Sequence, residues 1–328
     1  MGTPNKVLQL SSLYMKIYFG GMIFTMVYNF CASILRAAGD TRRPLIFLAI
    51  AGVLNVALNF YFVSAMHMNV EGVAIATVIS QALSAVLVVI ALMKRKDACK
   101  LYLRKIRFYS PQLLKMIRIG LPAGIQGSLF SISNVLIQKS INGFGPVLMS
   151  GSGAASSIEG FIYVTFNAFH QTAVNFIGQN AGAGQYVRVK KIFFTCLASA
   201  AVSTIAISLL AYAFGPQLLS IYITDSQKAI EYGMIRLAYV ALPYFLCALM
   251  DVTTGALRGM GASLTPMLIS ILGVCGFRVL WIYTVFQIPA FHTPQCLYLS
   301  YSVSWVITFL CHFGAFFIIY KKRVRAHA

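Results

Sequence analysis

Long apolar stretches alternate with short polar connections along the whole chain, and glycine or proline marks many of their ends. A helix of roughly 20 apolar residues is long enough to cross a hydrocarbon layer of about 30 Å. We therefore expect an all-α polytopic membrane protein with about nine transmembrane helices. The predicted spans are residues 8–36, 43–64, 70–93, 112–140, 150–182, 190–213, 230–258, 264–288 and 296–320.

Composition supports a membrane protein. Hydrophobic residues make up 59% of the chain, charged residues only 10%, and the net charge is +19. In a soluble protein such a charge would indicate nucleic acid, but here the basic residues lie between the predicted spans, so we expect no nucleic-acid partner. The seven cysteines form no CxxC pair, so we predict neither a disulfide framework nor a metal site, and no cofactor.

The lysines and arginines predict an orientation. Most of the 26 lie in one alternate set of connections, and the positive-inside rule places that set in the cytoplasm. The basic tail at 321–328, "KKRVRAHA", is then cytoplasmic, and the plasma membrane is the expected location. The segment at 94–111 has the spacing of a basic amphipathic helix lying on the inner membrane face.

The sequence repeats itself. "ILRAAGDTRRPL" at 34–45 and "ALRGMGASLTPM" at 256–267 share an arginine, a glycine and a proline, each 222 positions apart. Spans 1–3 therefore correspond to spans 7–9, and a six-span repeat gives two lobes with the same orientation. Spans 4–6 lack partners, so we expect a twelve-span protein without its first three spans. Residues 1–93 would be the C-terminal half of an N-lobe, and 112–320 a complete C-lobe.

These motifs carry a family resemblance. "ILRAAGDTRRPL", "NVALNFYF", "GVAIATVISQ", "GLPAGIQ", "NFIGQNAGAGQ" and "GALRGMGASLTPM" occur in this order and resemble the multidrug and toxic compound extrusion (MATE) family. The resemblance implies a two-lobed transporter, and no enzyme, that exports amphipathic or cationic small molecules in exchange for H⁺ or Na⁺. Rocking of the lobes would alternate access to the cavity. We expect it to be monomeric in the lipid bilayer.

Ionisable residues within apolar spans are candidates for ion coupling, because they are costly in a membrane and usually face a cavity. Asp251 and Glu159 are the acids in such positions. Arg278, in the next span, is the expected partner of Asp251, either exchangeable or as a fixed bridge. His170 is a further coupling candidate, with a satisfied buried histidine as the alternative.

Polar and aromatic residues on the predicted spans are candidates for a substrate cavity. The span at 150–182 carries aromatic residues on one side and amides at intervals of four on the other, which favours a helix that lines water; interhelical hydrogen bonding is the alternative. The cavity candidates are Asn55, Asn59, Gln126, Tyr163, Phe166, Asn175, Gln179 and Tyr244, and Trp281 is a further candidate for the aromatic wall.

The resemblance also shows departures from the family pattern. Many relatives have an aspartate at the position of Asn59, and the family's acid on its seventh span has no counterpart around Gln126. The repeated arginines, Arg36 and Arg258, are interpreted as structural. Two other functions remain open: a lipid-linked oligosaccharide flippase of the same superfamily, which would require several cavity cations, and an inactive truncated product.

Overall fold

The structure is a computed structural model that describes residues 5–224 and 226–327. Within these residues the secondary structure consists of α-helices with a few short π-helical and 3₁₀ turns, and no strand occurs among them. The predicted all-α fold class is confirmed. The chain divides into two compact units, Met1–Phe108 and Tyr109–Ala328.

The first unit contains four long helices. They are α1 (Asn5–Gly20), α2 (Met22–Ala37), α3 (Arg42–Phe60), which continues as a π-helical turn (Tyr61–Ala65), and α4 (Val70–Met93). The chain bends by 44° between α1 and α2, at two adjacent glycines. Small residues let α2 approach α4 closely, and Ala32 and Leu35 of α2 form a core with Ala85, Val88 and Leu92 of α4.

The second unit contains the remaining helices. They are α5 (Ser110–Asn142), α6 (Pro146–Gly182), α7 (Tyr186–Ala213), α8 (Gly215–Tyr222), α9 (Gln227–Arg236), α10 (Tyr244–Gly259), α11 (Leu264–Ser270), α12 (Phe277–Tyr283) and α13 (Pro294–His327). Helices α6, α7, α10 and α13 surround one hydrophobic core, in which Phe193 stacks on Phe316 with ring centroids 3.8 Å apart. A π-helical turn, Ile271–Gly276, joins α11 to α12.

Each of the nine stretches predicted as spans is helical. Among the described residues, five helices are long and apolar enough to cross a membrane, or up to seven if each of two bent helix pairs is one span. Helices α5 and α6 are long enough but contain many serine, asparagine and glutamine residues. The protein is therefore a multi-pass membrane protein in which two long helices are more polar than a lipid-facing span.

The repeated motif folds identically in both copies. Gly39 and Gly261 adopt φ angles of 85° and 80°, a left-handed conformation that glycine adopts without the penalty of a side chain. Both glycines end a helix through the same two backbone hydrogen bonds. In the first copy, the N–H of Gly39 donates to the Arg36 oxygen (3.0 Å) and the N–H of Asp40 to the Leu35 oxygen (2.9 Å). In the second copy, the N–H of Gly261 donates to the Arg258 oxygen (2.8 Å) and the N–H of Ala262 to the Leu257 oxygen (3.0 Å). The repeat is thus a repeated helix end.

The segment predicted as an amphipathic linker helix is not one. Residues 94–109 contain only a short 3₁₀ turn, Leu103–Lys105. Lys96, Lys100 and Arg104 would stack at intervals of four on one helix face, and like charges at that spacing repel each other. The helix prediction is therefore wrong for an electrostatic reason. The predicted tail is also not separate, because α13 continues to His327; Ala328 lies outside the described residues.

An ion pair closes the turn at the start of this segment. Arg95 Nε donates to both carboxylate oxygens of Asp97 at 2.9 Å, and Asp97 Oδ1 accepts the backbone N–H of Cys99 at 3.1 Å. The hydrogen bond from Arg95 lowers the pKa of the Asp97 carboxyl below its usual value, with the Cys99 amide adding to the effect. Asp97 therefore stays ionised under ordinary conditions.

Candidate functional site

A cavity of about 450 Å³ lies among the helices of the second unit. Its walls come from α5, α6, α10, α12, α13 and the π-helical turn before α12. The lining residues are Ala123, Gln126, Gly127, Phe130, Asn134, Tyr163, Phe166, Asn167, His170, Gln171, Tyr244, Cys247, Met250, Asp251, Arg258, Val274, Arg278, Tyr301 and Trp305. Gln126 and Asn134 of α5 and Asn167, His170 and Gln171 of α6 therefore face this space.

Asp251 and His170 form the central polar pair of the cavity. His170 Nδ1 lies 2.7 Å from the backbone oxygen of Asp251 and 3.4 Å from its Oδ1. A backbone carbonyl oxygen can only accept a hydrogen bond, so Nδ1 carries the hydrogen. The Asp251 side chain is 24% exposed and that of His170 7%. The carboxylate can thus be reached from the cavity, while the imidazole lies behind it.

Close packing of α6 on α10 brings these two residues together. Gly255 and Gly259 are four residues apart on α10, and a Cβ added to Gly255 would lie 2.7 Å from the backbone oxygen of His170. A Cβ on Gly259 would lie 3.0 Å from the backbone oxygen of Val174. Such a small-xxx-small pattern lets membrane helices approach at backbone distance. Without the glycines, His170 could not reach Asp251.

The predicted pairing of Asp251 with Arg278 is wrong, although Arg278 lines the cavity. Arg278 Nε donates to Ser304 Oγ at 3.1 Å, and its guanidinium carbon lies 4.1 Å from the centre of the Tyr301 ring. The π-helical turn Ile271–Gly276 precedes Arg278 and rotates the following residues relative to an uninterrupted α-helix. This rotation directs the arginine toward α13.

Glu159 does not line the cavity, contrary to the expectation for an acid in an apolar span. Arg236 Nε and Nη2 each donate to one Glu159 carboxylate oxygen at 2.8 Å, and Nη1 donates to Ser152 Oγ at 2.8 Å. Both charged side chains are only 7% exposed. This bidentate pair joins α6 to α9. Arg236 lies within the predicted span 230–258, and its pairing with Glu159 was not predicted from the sequence.

An aromatic wall forms one side of the cavity. The rings of Tyr163 and Phe166 meet edge to face at 5.1 Å, those of Phe166 and Tyr244 at 5.2 Å, and Tyr244 lies 5.3 Å from Trp305. The three predicted aromatic residues are thus together. Trp281 is not among the residues that line the cavity, and its indole donates to the backbone oxygen of Cys296 at 3.1 Å.

Gln126 begins a chain of buried polar side chains that leads away from the cavity. It accepts a hydrogen bond from Arg258 Nη2 at 2.9 Å and donates to Ser270 Oγ at 3.0 Å. Ser270 Oγ lies 3.3 Å from His312 Nε2, and His312 Nδ1 lies 3.3 Å from Thr254 Oγ1. His312 was missed, although a histidine within the most buried part of an apolar span is itself a signal.

Of the four amide side chains spaced at intervals of four along α6, only two line the cavity. Asn167 and Gln171 line it, whereas Asn175 and Gln179 lie further along α6, outside the lining. An α-helix has 3.6 residues per turn, so residues spaced by four drift around the helix by about 40° at each step. The later amides therefore turn away from the cavity as well as lying beyond its end.

Asn55 and Asn59 belong to the first unit and contact each other. Asn59 Nδ2 donates to Asn55 Oδ1 at 3.0 Å along α3. Their role in a cavity remains a prediction. Among the described residues, no group of three histidine, cysteine, aspartate or glutamate side chains is arranged to hold a metal ion.

A scan of protein-family models gives a match to MatE over residues 1–61 and 122–284. The chain belongs to the MatE family. The matched residues include both repeated helix ends and most of the cavity-lining residues, and this MatE chain is accordingly a multi-pass membrane protein.

Curated bacterial proteins resemble this MatE chain in sequence. The probable multidrug resistance protein YpnP of Bacillus subtilis is 28% identical over 276 residues, which are 82% of this chain and 60% of YpnP. The probable multidrug resistance protein YoeA of the same organism is 25% identical over 98% of this chain and 71% of its own length. The chain thus spans about 60–70% of the length of these relatives.

Solved structures show the same fold. A MATE protein crystallised in complex with MaL6 superposes with a TM-score of 0.90 at 17% identity, covering 99% of this chain and 73% of that one. The MATE transporter VcmN of Vibrio cholerae in its bent form gives 0.82 at 20% identity, covering 99% and 72%. At these identities the likeness concerns the fold of the MatE chain.

Proposed function

We propose that this chain acts in a secondary exporter of amphipathic aromatic compounds, organic cations among them, in exchange for protons. The observation that carries the proposal is the placement of the Asp251–His170 pair beside an aromatic wall in one cavity. The names of the curated relatives as multidrug resistance proteins agree with it.

The aromatic wall suits flat organic substrates. Ligand cavities of a few hundred Å³ bury most of a drug-sized molecule, and this cavity measures about 450 Å³. Tyr163 is 45% exposed and can present its ring to a substrate. Offset or edge-to-face contacts with aromatic rings stabilise flat aromatic molecules, and the face of a ring also attracts organic cations.

The Asp251–His170 pair favours a proton over sodium as the coupling ion. Histidine changes charge closest to neutral pH among unperturbed side chains, so the pair can take up and release a proton. The Nδ1–H of His170 points at the Asp251 oxygens and occupies a position that a sodium ion coordinated there would need. Protonation of Asp251 removes the negative charge that holds a cationic substrate, which links the proton to substrate release.

Arginines in the cavity support a second candidate function. Arg258 and Arg278 both line the cavity, whereas Lys139 is exposed near the end of α5. Two arginines could hold a pyrophosphate group, as a lipid-linked oligosaccharide flippase requires. Both are held by neighbours, Arg258 by Gln126 and Arg278 by Ser304, which makes this the weaker candidate.

The two functions are separated by transport assays in everted vesicles. With an imposed proton gradient, the full chain should accumulate the cationic aromatic dye ethidium, and a sodium gradient should not replace the proton gradient. Asp251→Asn should reduce uptake to that of empty vesicles, because the amide cannot exchange a proton. Glu231→Gln, which neutralises an exposed acid on α9, serves as the control and should leave uptake unchanged.

Three results would contradict the proposal. They are ethidium uptake driven by sodium alone, unchanged uptake by Asp251→Asn, and no uptake by the unmodified chain under either gradient. Translocation of a lipid-linked oligosaccharide in the same vesicles, without ethidium transport, would establish the second candidate in its place.

A further inference from the structure

A second concave surface in the second unit shares no residue with the cavity. This groove, of about 640 Å³, lies between the first turns of α5, the connection from α10 to α11 and the last turns of α13. Three basic residues, Arg118, Lys322 and Arg323, and apolar residues that include Ile117, Leu121 and Leu264 line it. We call it the basic groove.

Specific contacts build the basic groove. The Ser263 hydroxyl donates to the backbone oxygen of Ile119 at 2.7 Å, and Ser263 is only 3% exposed. This bond holds the α10–α11 connection against α5. A Cβ added to Gly261 would lie 3.6 Å from Arg323 Nη2, so the guanidinium of α13 lies directly over the left-handed glycine. Three separate helices thus supply a defined pocket.

The charge of the basic groove is not neutralised by the protein. Its lining contains no acidic side chain, and none of its three basic residues forms an ion pair with a described residue. Three like charges around one concave surface repel one another unless an anion lies between them. Arginine and lysine together are the usual partners of phosphate oxygens, with arginine able to bind two at once.

The apolar residues identify the kind of anion. Ile117, Leu121 and Leu264 are 46%, 60% and 57% exposed and border the basic residues on helices of a membrane protein. A ligand that fits both parts has a negatively charged head and hydrocarbon chains. Basic pockets between transmembrane helices bind the head groups of anionic lipids. We propose that the basic groove binds an anionic phospholipid, its phosphate between Arg118, Lys322 and Arg323 and its acyl chains along Leu121 and Leu264.

Native mass spectrometry of the full chain in a neutral detergent tests this proposal. The probes are phosphatidylglycerol and phosphatidylcholine with the same acyl chains, and the unmodified chain should bind phosphatidylglycerol more tightly. Each basic residue near a lipid phosphate contributes roughly fivefold in affinity. The triple variant R118Q/K322Q/R323Q should therefore bind phosphatidylglycerol about 100-fold more weakly.

A triple variant of equal charge provides the control. Lys100, Arg104 and Lys105 are exposed and lie outside the basic groove, so K100Q/R104Q/K105Q should keep the affinity of the unmodified chain. The single variants K322Q and R323Q change exposed residues at the end of a helix, and each should lose roughly fivefold. If the groove triple variant does not fold, the affinities of these two single variants still test the proposal.

Equal binding of the two lipids, or phosphatidylglycerol affinity retained by the groove triple variant, would overturn the proposal. Displacement of phosphatidylglycerol by millimolar inorganic phosphate would also overturn it, because the groove would then be a site for free phosphate. Binding is measured without a gradient or a transported dye, so a failure of the export proposal leaves this result unaffected.

Discussion

Glu159 and Asp251 are carboxylates in apolar helices with different surroundings. Glu159 receives two hydrogen bonds from Arg236, and both side chains are almost completely buried. Asp251 has a partly open side chain and a neutral or charged histidine as its partner. A buried arginine does not exchange its proton, so the Glu159 pair fixes helices together. The Asp251 pair is the one whose charge can change.

Removal of the charge on Glu159 should destabilise the protein. Glu159→Gln leaves the buried guanidinium of Arg236 without a counter-ion, which costs about 3–5 kcal/mol of unfolding free energy. Thermal unfolding in detergent should show a large fall in melting temperature, while Glu231→Gln on the exposed face of α9 should show almost none. The double variant Glu159→Met/Arg236→Met should recover much of the loss; a double variant as unstable as the single one would contradict this account.

The Arg95–Asp97 turn predicts a dependence on pH. The hydrogen bond from Arg95 lowers the pKa of Asp97 in the folded chain, so the turn is stabilised at pH values above the ordinary pKa of an aspartate. That stabilisation is lost as the pH falls through the lowered pKa, because the protonated acid loses its ion pair. Protection of residues 94–101 against hydrogen–deuterium exchange, corrected for the intrinsic rate, should fall in acid.

The variant Asp97→Asn is the control for this turn. It should give low protection at neutral pH and little further change in acid, because its side chain does not titrate in this range. Equal protection of the variant and the unmodified chain at neutral pH would show that the ion pair does not hold the turn.

At the residue scale, the sequence identified unusual residues but not their partners. Asp251, His170 and Gln126 are conspicuous as polar groups in apolar spans, and they do line the cavity. The choice of His170 over Arg278 as the partner of Asp251 depends on how α6 packs against α10 and on a π-helical turn. Neither can be read from the spacing of residues within one helix.

At the scale of elements, α6 and α10 are joined by glycines. Gly255 and Gly259 admit the backbone of α6 at His170 and Val174, and this approach sets the geometry of the polar pair. The pattern is visible in the sequence as "GALRG" at 255–259. These residues belong to the repeated motif, and a small-xxx-small pair is also a known signal for close helix packing.

Enlargement of Gly255 should separate the two helices. A Cβ there would lie 2.7 Å from a backbone oxygen of α6, and backbone cannot move aside as a flexible side chain can. Gly255→Ala should therefore lower the unfolding free energy by about 1–3 kcal/mol and reduce ethidium uptake, since His170 is displaced. Melting temperature and uptake are measured together.

Gly160 supplies a matched control on α6. A Cβ added there meets no atom within 4 Å, so Gly160→Ala should be neutral or slightly stabilising, because alanine is the better helix former. A larger loss of stability in Gly160→Ala than in Gly255→Ala would contradict the role assigned to the glycine pair.

The helices themselves were predictable, whereas the connections were less so. Each of the nine apolar stretches predicted as a span is helical, because the membrane imposes a length and a composition on each span. The prediction of a linker helix was wrong because it rested on amphipathic spacing alone. Repulsion between Lys96, Lys100 and Arg104 opposes that helix. The short helix α8 was not predicted, since eight residues carry no clear periodic signal.

At the scale of the whole molecule, the repeated helix ends at Gly39 and Gly261 are the same structure formed twice. The repeat predicted two lobes from the sequence alone, and the match to the MatE family model includes both copies. The distribution of basic residues adds a predicted orientation in the membrane.

The orientation predicts the location of the C-terminus. Most lysines and arginines lie in the same predicted set of connections as the C-terminal tail. By the positive-inside rule, a green fluorescent protein fused after residue 328 should therefore fold in the cytoplasm and fluoresce. Alkaline phosphatase, which is active only after export, should be inactive at the same position. Active phosphatase without fluorescence would reverse the orientation.

The glycine pair of α10 also limits how the proposed transport cycle could work. At Gly255 and Gly259 the two helices approach at backbone distance, and a close fit of this kind resists sliding, so we expect α6 and α10 to move as a single body. His170 and Asp251 then keep a constant separation throughout the cycle. Under the proposed function, the proton bound by this pair would change during the cycle while the distance between the two residues would not.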